Sequence, residues 1–311
     1  MAISLKVLVT GAAGFIGSHT VDQLLAAGHE VWGVDNFRTG RRENLALALP
    51  SNRFRLAELD VAEERDFVEF VGKIKPDAII HLAALISVPE SIANPALNER
   101  LNFQATRIVA EAARQHRVPR IVFASSAAVY GDSAETPITE DAPKKPLSPY
   151  GVAKLTSEEL LLAYAANHGF VVRCQRYFNV YGPRQDPRSP YSGVISLFVD
   201  CARNYRPPTI FGDGEQSRDF ISVHDVARAN VIAATKQGLK SGVANICAGT
   251  ASSINEVWSQ ISRGQPHHLV AEYAPFRPGD IRRSLGSPAA ALDALGFKAE
   301  VSFEVGLMAL I

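Results

Sequence analysis

Cysteine is scarce in this 311-residue chain: Cys174, Cys201 and Cys247 lie far apart, with no C-x-x-C pair. An odd number of scattered thiols excludes a disulfide framework or a zinc knuckle and implies reduced thiols in a reducing compartment. Charge of one sign is missing too. Thirty-two Lys and Arg cancel thirty-two Asp and Glu, so there is no electrostatic footprint for nucleic acid or an anionic membrane. The basic pairs Arg41-Arg42, Lys144-Lys145 and Arg282-Arg283 are isolated and read as solvated surface. No apolar run free of charges and glycine breaks reaches the ~18 residues of a membrane span, and the N-terminus lacks the apolar stretch and cleavage site of a secretory signal. The expected location is the cytoplasm. H-E-x-x-H is absent, and the adjacent His267-His268 cannot share one face of a helix or strand, so the pair reads as surface and no metal site is expected. Repeats and low-complexity tracts are absent as well.

What remains is ordinary for a folded protein, 47% hydrophobic and 21% charged, with length for roughly two domains of ~150 residues. Short β-branched runs alternate with helical stretches in the first half. Strands are expected at 6–10, 31–35, 54–58, 78–82 and 120–125. Helices are expected at 14–27, near 63–73, across roughly 95–116, and at 150–168, closed by Gly169. Alternation without hairpin turns predicts parallel βαβ units, an α/β doubly wound sheet of the Rossmann type with ligands at the strand C-termini. After about residue 180, prolines (Pro183, Pro187, Pro190, Pro207, Pro208) and glycines break the chain into short elements. The expected division is a dinucleotide-binding domain over 1–180 and a smaller α/β substrate lobe over 181–311, with returns to the large sheet near 171–176 and 244–248.

Gly11-Ala12-Ala13-Gly14-Phe15-Ile16-Gly17 joins the first strand to the first helix. Gly11 permits a tight turn, Gly14 lets backbone approach a pyrophosphate, and Gly17 allows close packing of helix on strand. The helix N-terminus offers amides and a positive dipole end to phosphates. Asp35 ends the second strand eighteen residues after Gly17. A carboxylate there accepts from a ribose 2′-hydroxyl and repels a 2′-phosphate, favouring NAD over NADP; Arg38, Arg41 and Arg42 pull slightly the other way.

Tyr150 and Lys154 stand four apart at a helix start and share one side of it, close after the strand that ends in Ser125-Ser126. Tyr, Lys and Ser beside a nicotinamide suit hydride transfer from an alcohol, in which the phenol takes the hydroxyl proton. Bringing a phenol from pKa ~10 to ~7 needs about 4 kcal/mol, about what one ammonium ~4 Å away supplies at an effective dielectric near 20.

These motifs together resemble the extended short-chain dehydrogenase/reductases of the NAD-dependent sugar-nucleotide epimerase/dehydratase family, and among them the UDP-hexose 4-epimerases. The likeness runs from Val7 to about Phe297 through Thr10–Gly17, Asp35-Asn36, Leu59-Asp60-Val61, His81-Leu82-Ala83-Ala84, Ser125–Gly131, Ser148-Pro149-Tyr150-Gly151, Arg176-Tyr177-Phe178-Asn179, Gly212-Asp213-Gly214, Arg218-Asp219-Phe220 and Arg277-Pro278-Gly279-Asp280. It implies Ser126, four residues before Tyr130, as the catalytic serine, with Tyr150 and Lys154. It implies NAD contacts at Gly11, Gly14, Phe15, Ile16, Gly17, Asp35, Asn36, Thr39, Gly40, Asp60, Val61, Leu82, Ala83, Ala84, Asn102, Tyr150, Lys154 and Tyr177. On the substrate side it implies Ser87, Ser126, Tyr150, Asn179, Val194, Phe211 near the uracil, Arg218 and Arg277 on the diphosphate, Asp280 positioning an arginine or a ribose hydroxyl, and Ser284.

Dehydratases and decarboxylases of the family carry an acid just after the catalytic Ser or Thr; here Ala127 and Ala128 cannot titrate, which disfavours elimination. A GDP-fucose-synthase-like reaction would call for a Cys in this region and an NADP pocket, which Ala127 and Asp35 oppose. The expected reaction is inversion at C4 of a UDP-hexose through a 4-keto sugar, with hydride returned from the same cofactor. Ser284, four residues after Asp280, is small where a bulky aromatic would exclude an N-acetyl group, so UDP-GlcNAc/UDP-GalNAc are expected beside UDP-Glc/UDP-Gal. A UDP-glucuronate 4-epimerase, a dehydratase or decarboxylase, and a non-catalytic NAD sensor stay open. The resemblance further implies a homodimer through a four-helix contact of the helices at 95–116 and 150–168, whose apolar residues Val109, Ala110, Leu161 and Leu162 could face a partner or pack inward.

Overall fold

The computed structural model describes residues 4–186, 193–263, 269–277 and 279–311; His267-His268, Pro187, Pro190 and Pro278 fall outside them. The first half runs β1 (Lys6–Thr10), α1 (Phe15–Ala26), β2 (Glu30–Asp35), β3 (Phe54–Glu58), α2 (Glu64–Ile74), β4 (Ala78–His81), α3 (Val88–Ala93), α4 (Pro95–Asn98), α5 (Ala105–His116), β5 (Arg120–Ser126), α6 (Pro149–His168) and β6 (Val171–Tyr177). The second half runs β7 (Asn179–Tyr181), α7 (Val194–Arg203), β8 (Thr209–Phe211), β9 (Ser217–Ser222), α8 (Val223–Thr235), β10 (Gly242–Ile246), β11 (Ala251–Ser253), α9 (Ile254–Ser262), β12 (Glu272–Ala274), β13 (Arg283–Ser284), α10 (Ala289–Leu295) and α11 (Phe303–Met308).

Seven strands form one all-parallel sheet in the order β10-β6-β5-β4-β1-β2-β3. Its central strands are apolar on both faces because helices cover both, as in a doubly wound sheet. One face packs on α1 and α8, the other on α2, α5 and α6. Helices α8 and α10 come from the second half of the chain, yet Val226, Ala229, Ala233, Ala291 and Leu295 lie in the first lobe's core. The smaller lobe has its own core around Ile195, Phe198, Phe220, Val257 and Trp258. Among the described residues, no helix is long and apolar enough to cross a membrane.

Two local features depart from the sequence reading. The single helix expected across 95–116 is interrupted by a π-helical turn, Glu99–Gln104, which carries Asn102 into the interior. Helix α3 was not expected; it is six residues long, and its signal is only Ser87 capping the Glu90 amide with Pro89 in the first turn. As for a dimer face, Val109, Ala110 and Leu161 are fully buried and Leu162 partly so, all within the chain's own core; these side chains pack inward.

Candidate active site

The glycine loop and the loop after β4 form two walls that touch. Gly11 turns at φ +68°, and a Cβ on it would lie 2.8 Å from the Ala83 nitrogen; one on Gly17 would lie 2.0 Å from the Gly11 carbonyl. Neither position can carry a side chain. Gly14 is the N-cap of α1, with no side-chain cap and no acid in the first turn, so the positive end of the helix is left to a ligand. Asp35 is buried, its Oδ2 accepting from the Ala13 amide at 2.9 Å and its Oδ1 from the Phe37 amide at 2.8 Å. Burial pushes its carboxyl up and these two amides pull it back. A side chain at Gly40 would collide with the carboxylate.

From this corner a cavity of about 620 Å³ runs past Phe15, Ile16, Asn36, Thr39, Asp60, Val61, Leu82, Ala84 and Ser87 to Tyr150, Lys154 and Tyr177. Its mouth is crossed by ion pairs that sequence reading missed because their partners are 52 and 145 residues apart: Arg38–Glu90 at 2.5 Å and Arg41–Asp186, with Arg184–Asp22 at 2.8 Å beside them. Of the three cations near a 2′-phosphate position, Arg38 and Arg41 are thus matched with carboxylates. Uncapped amides, a cradle without Cβ atoms and a buried carboxylate at the end of β2 fit NAD.

Asn102, expected against the cofactor, is buried and exchanges hydrogen bonds with the Leu85 backbone (Oδ1 accepting at 3.0 Å, Nδ2 donating at 3.0 Å) and donates to Asn98. It shapes the groove through the loop after β4. His81 does related work: Thr10 Oγ1 accepts from the Leu82 and Ala83 amides, so its proton goes to His81 Nδ1 at 2.8 Å, and the ring's Nε2 faces Thr106 at 3.2 Å. Burial, with nearby Lys154 adding to it, holds this imidazole neutral down to about pH 3.

Ser148 caps α6 by accepting from the Gly151 amide at 3.1 Å, and Pro149 opens the helix. Tyr150 therefore sits in the first turn and Lys154 one turn on, both facing β5. The Tyr150 hydroxyl faces Ser126, whereas the Ser125 hydroxyl donates to Glu158. The two neighbouring serines are separated by their partners, and only Ser126 is on the phenol. Lys154 is 4% exposed; its Nζ donates to the Ala124 carbonyl at 2.8 Å, lies 4.9 Å from the Phe123 ring centre and 5.7 Å from that of Tyr150. Burial lowers the ammonium to about 7, with Glu158 opposing, and raises the phenol above its ordinary value, with Ser126 opposing. Burial thus drives both groups toward their uncharged forms, so an ammonium that is to draw the phenol toward neutrality has to have its own charge maintained.

The substrate-side residues gather at the smaller lobe. Asn179 Nδ2 donates to the Asp219 carbonyl at 3.1 Å, Arg218 pairs with Asp280 at 2.5 Å, and the Arg277 guanidinium lies 3.7 Å over the Phe211 ring. Arg277 thus stacks on the ring instead of standing beside Arg218 as a second free fork. Val194 opens α7, and Ser284, buried on β13, pairs in register with Arg218. Asp219, to which sequence reading gave no role, is fully buried and accepts from the Ala248, Gly249 and Gly286 amides. It ties β9 to two other segments while burial raises its carboxyl to about 6. Among the described residues, no group of three or more His, Cys, Asp or Glu side chains is placed to hold a metal.

The family model described as NAD dependent epimerase/dehydratase matches residues 7–247. This chain belongs to that family, and its cofactor is NAD. It is 38% identical over 304 residues to a UDP-glucose 4-epimerase of Mycolicibacterium smegmatis, with 97% of this chain and 96% of that protein covered. The fold is that of a UDP-N-acetylglucosamine 4-epimerase from Methanobrevibacter ruminantium in complex with UDP-N-acetylmuramic acid, at TM-score 0.93, 36% identity and 99% and 96% coverage. It is also that of MoeE5 in complex with UDP-glucuronic acid and NAD, at TM-score 0.86, 37% identity and 97% and 96% coverage.

Proposed function

We propose that the protein interconverts C4 epimers of UDP-hexoses, UDP-Glc with UDP-Gal and UDP-GlcNAc with UDP-GalNAc. The observation that carries this is the Tyr150 phenol beside Ser126, with the buried Lys154 one helical turn on, at the end of the NAD groove, the serine being followed by two alanines, Ala127 and Ala128, where elimination would require an acid. Bound NAD supplies reversible removal of hydrogen from C4, so that the sugar passes through a 4-keto form. The chain's own residues manage the proton and the pose. Tyr150 takes the proton of the 4-hydroxyl and gives it back, with Ser126 bridging phenol and sugar oxygen and the Lys154 ammonium favouring the phenolate. Arg218, oriented by Asp280, suits the diphosphate with its planar fork. Anchoring the nucleotide there leaves the pyranose free to present its second face.

Incubating the purified protein separately with UDP-Glc, UDP-GlcNAc and UDP-GlcA and reading products by proton NMR tests the reading. The first two should give 4-epimers of unchanged mass without an added hydrogen acceptor; steady accumulation of NADH with substrate would refute it. A second reading, epimerisation of UDP-glucuronate, draws on the likeness to MoeE5, and the third arm of the assay reports on it. Ser284→Tyr should lower turnover of the N-acetyl sugars at least tenfold more than that of UDP-Glc; equal losses would remove Ser284 as the gate. Assembly as a homodimer through the outer faces of α5 and α6 belongs to the same reading, and sedimentation velocity checks it.

A further inference from the structure

Tyr150, Lys154 and Glu158 recur at every fourth position of α6, and Lys154 and Glu158 are both buried on the face turned to β5 and β6. Glu158 forms a forked ion pair with Arg176, Oε2 to Nη2 at 2.6 Å and Oε1 to Nε at 2.9 Å, the two side chains 2% and 4% exposed. Its Oε1 also accepts from the Ser125 hydroxyl. Ser125 and Arg176 face each other across β5 and β6, and the next pair in register is Ser126 with Tyr177. One carboxylate therefore ties α6, which carries Tyr150 and Lys154, to the two strand ends that carry Ser126 and Tyr177.

We propose that Glu158 is a positioning residue of the active site, which keeps Lys154 charged beneath Tyr150 and holds Ser126 in line with the phenol. The inference rests on the reading of Tyr150 as the group that moves the proton. A buried ion pair is by itself a weak source of stability, since desolvating two charges offsets their attraction; an apolar pair would fill the same space. Here the surroundings of Lys154 leave the carboxylate a specific task. From β4 the lysine meets His81, which is neutral; from β5 it meets only the Ala124 carbonyl and the Phe123 ring. On β6, Arg176 is turned onto Glu158, Tyr130 and the Glu140 carbonyl, while Cys174 is a buried thiol held protonated and Tyr177 a buried phenol bonded to Asn230. The acids and bases of the neighbouring helical segments are paired outward: Glu90 with Arg38, Arg100 with Asp60 and Glu63, Arg107 with Glu64, and Arg114 with Glu111. Glu158 is the carboxylate that acts on the ammonium, and it opposes the burial that would discharge it.

The sign of its removal follows from distance. Glu158 lies two helical turns from Tyr150, about 12 Å along the axis at 1.5 Å per residue, whereas Lys154 lies one. In Glu158→Gln the direct loss of a distant negative charge favours the phenolate slightly, but the uncompensated Arg176 and the missing carboxylate both drive Lys154 neutral. The phenol then loses its nearest cation and ionises at higher pH.

Two measurements on the NAD-loaded protein test this. The first is the pH–rate profile with UDP-Glc. In Glu158→Gln the rising limb should move by about one pH unit or more to the alkaline side, with KM changed less than threefold, and Glu158→Asp should bring it back. The second is the absorbance titration of Tyr150 near 295 nm, taken as the difference from Tyr150→Phe in each background, which should move by the same amount. Should the unpaired arginine prevent folding of the single variant, Glu158→Gln/Arg176→Gln removes both charges and should move the limb and the titration in the same direction. A limb and a phenol titration at the wild-type pH, with activity reduced equally at every pH, would overturn the proposal and leave Glu158 a packing residue. The absorbance readout does not depend on the sugar: if no UDP-hexose is turned over, the proposed function fails while the titration still reports on Glu158.

Discussion

Tyr150→Phe should lower kcat for C4 inversion by about 10²–10⁴-fold, the usual contribution of a positioned acid–base group, while the protein keeps its NAD and its fold. The ring stays, so the wall it forms at the end of the groove is retained, and Ser126 keeps its second role of accepting from the Ala128 amide at 3.1 Å. What goes is the hydroxyl that faces Ser126 at the end of the cavity. Tyr130 and Tyr177 cannot replace it, because their hydroxyls are committed to Asn245 and Asn230 at 2.6 Å each and burial pushes both further up. The measurement is turnover by NMR together with the NAD released on denaturation. A variant that retains more than a tenth of the wild-type rate would assign the proton to another group.

How far the sequence carries can be judged residue by residue. The parallel sheet was legible because the apolar runs of β1, β4 and β5 are short and separated by helix-length segments. Gly17 was legible because the backbone contact it permits, with Gly11, is local, and Gly11 because it opens the same short glycine motif, although its own close neighbour is the distant Ala83. Tyr150 and Lys154 could be paired because helical spacing alone puts them on one side. The ion pairs at the mouth of the groove could not be read, since Arg41 meets Asp186 only once the fold brings distant loops together. Nor could the choice of Ser126 over Ser125 be made from chemistry alone. It depends on Glu158, thirty-three residues along the chain, engaging one hydroxyl and leaving the other to the phenol. The bonding of Asn102 to Leu85 was not legible either, because it depends on a π turn, and a pattern search at helical period does not register one extra residue in a turn.

Lys154→Met should do two opposite things: abolish most turnover and stabilise the fold. An ammonium buried among Phe123, Ala124 and Tyr150 is held at about 7, against about 10.4 for a free lysine. That drop corresponds to a burial penalty on the order of 4 kcal/mol, present when both folded and unfolded chains are protonated, that is, below about pH 7. Between about 7 and 10 the unfolded chain binds more protons than the folded one, so wild-type stability rises with pH through that window. Methionine keeps the volume, places a polarisable thioether over the Phe123 ring and carries no charge. The loss of the Nζ bond to the Ala124 carbonyl returns about 1–3 kcal/mol of the gain. Urea unfolding at pH 6, 7.5 and 9.5, at one fixed NAD concentration because bound cofactor shifts the midpoint, should show the variant ahead by about 1–3 kcal/mol at pH 6 and level with wild type near pH 9.5. A variant weaker than wild type at all three would mean that the lysine is charged and well solvated in the fold. The expected outcome instead makes Lys154 a residue kept at a cost in stability, because the phenol beside it needs a cation that burial alone would discharge.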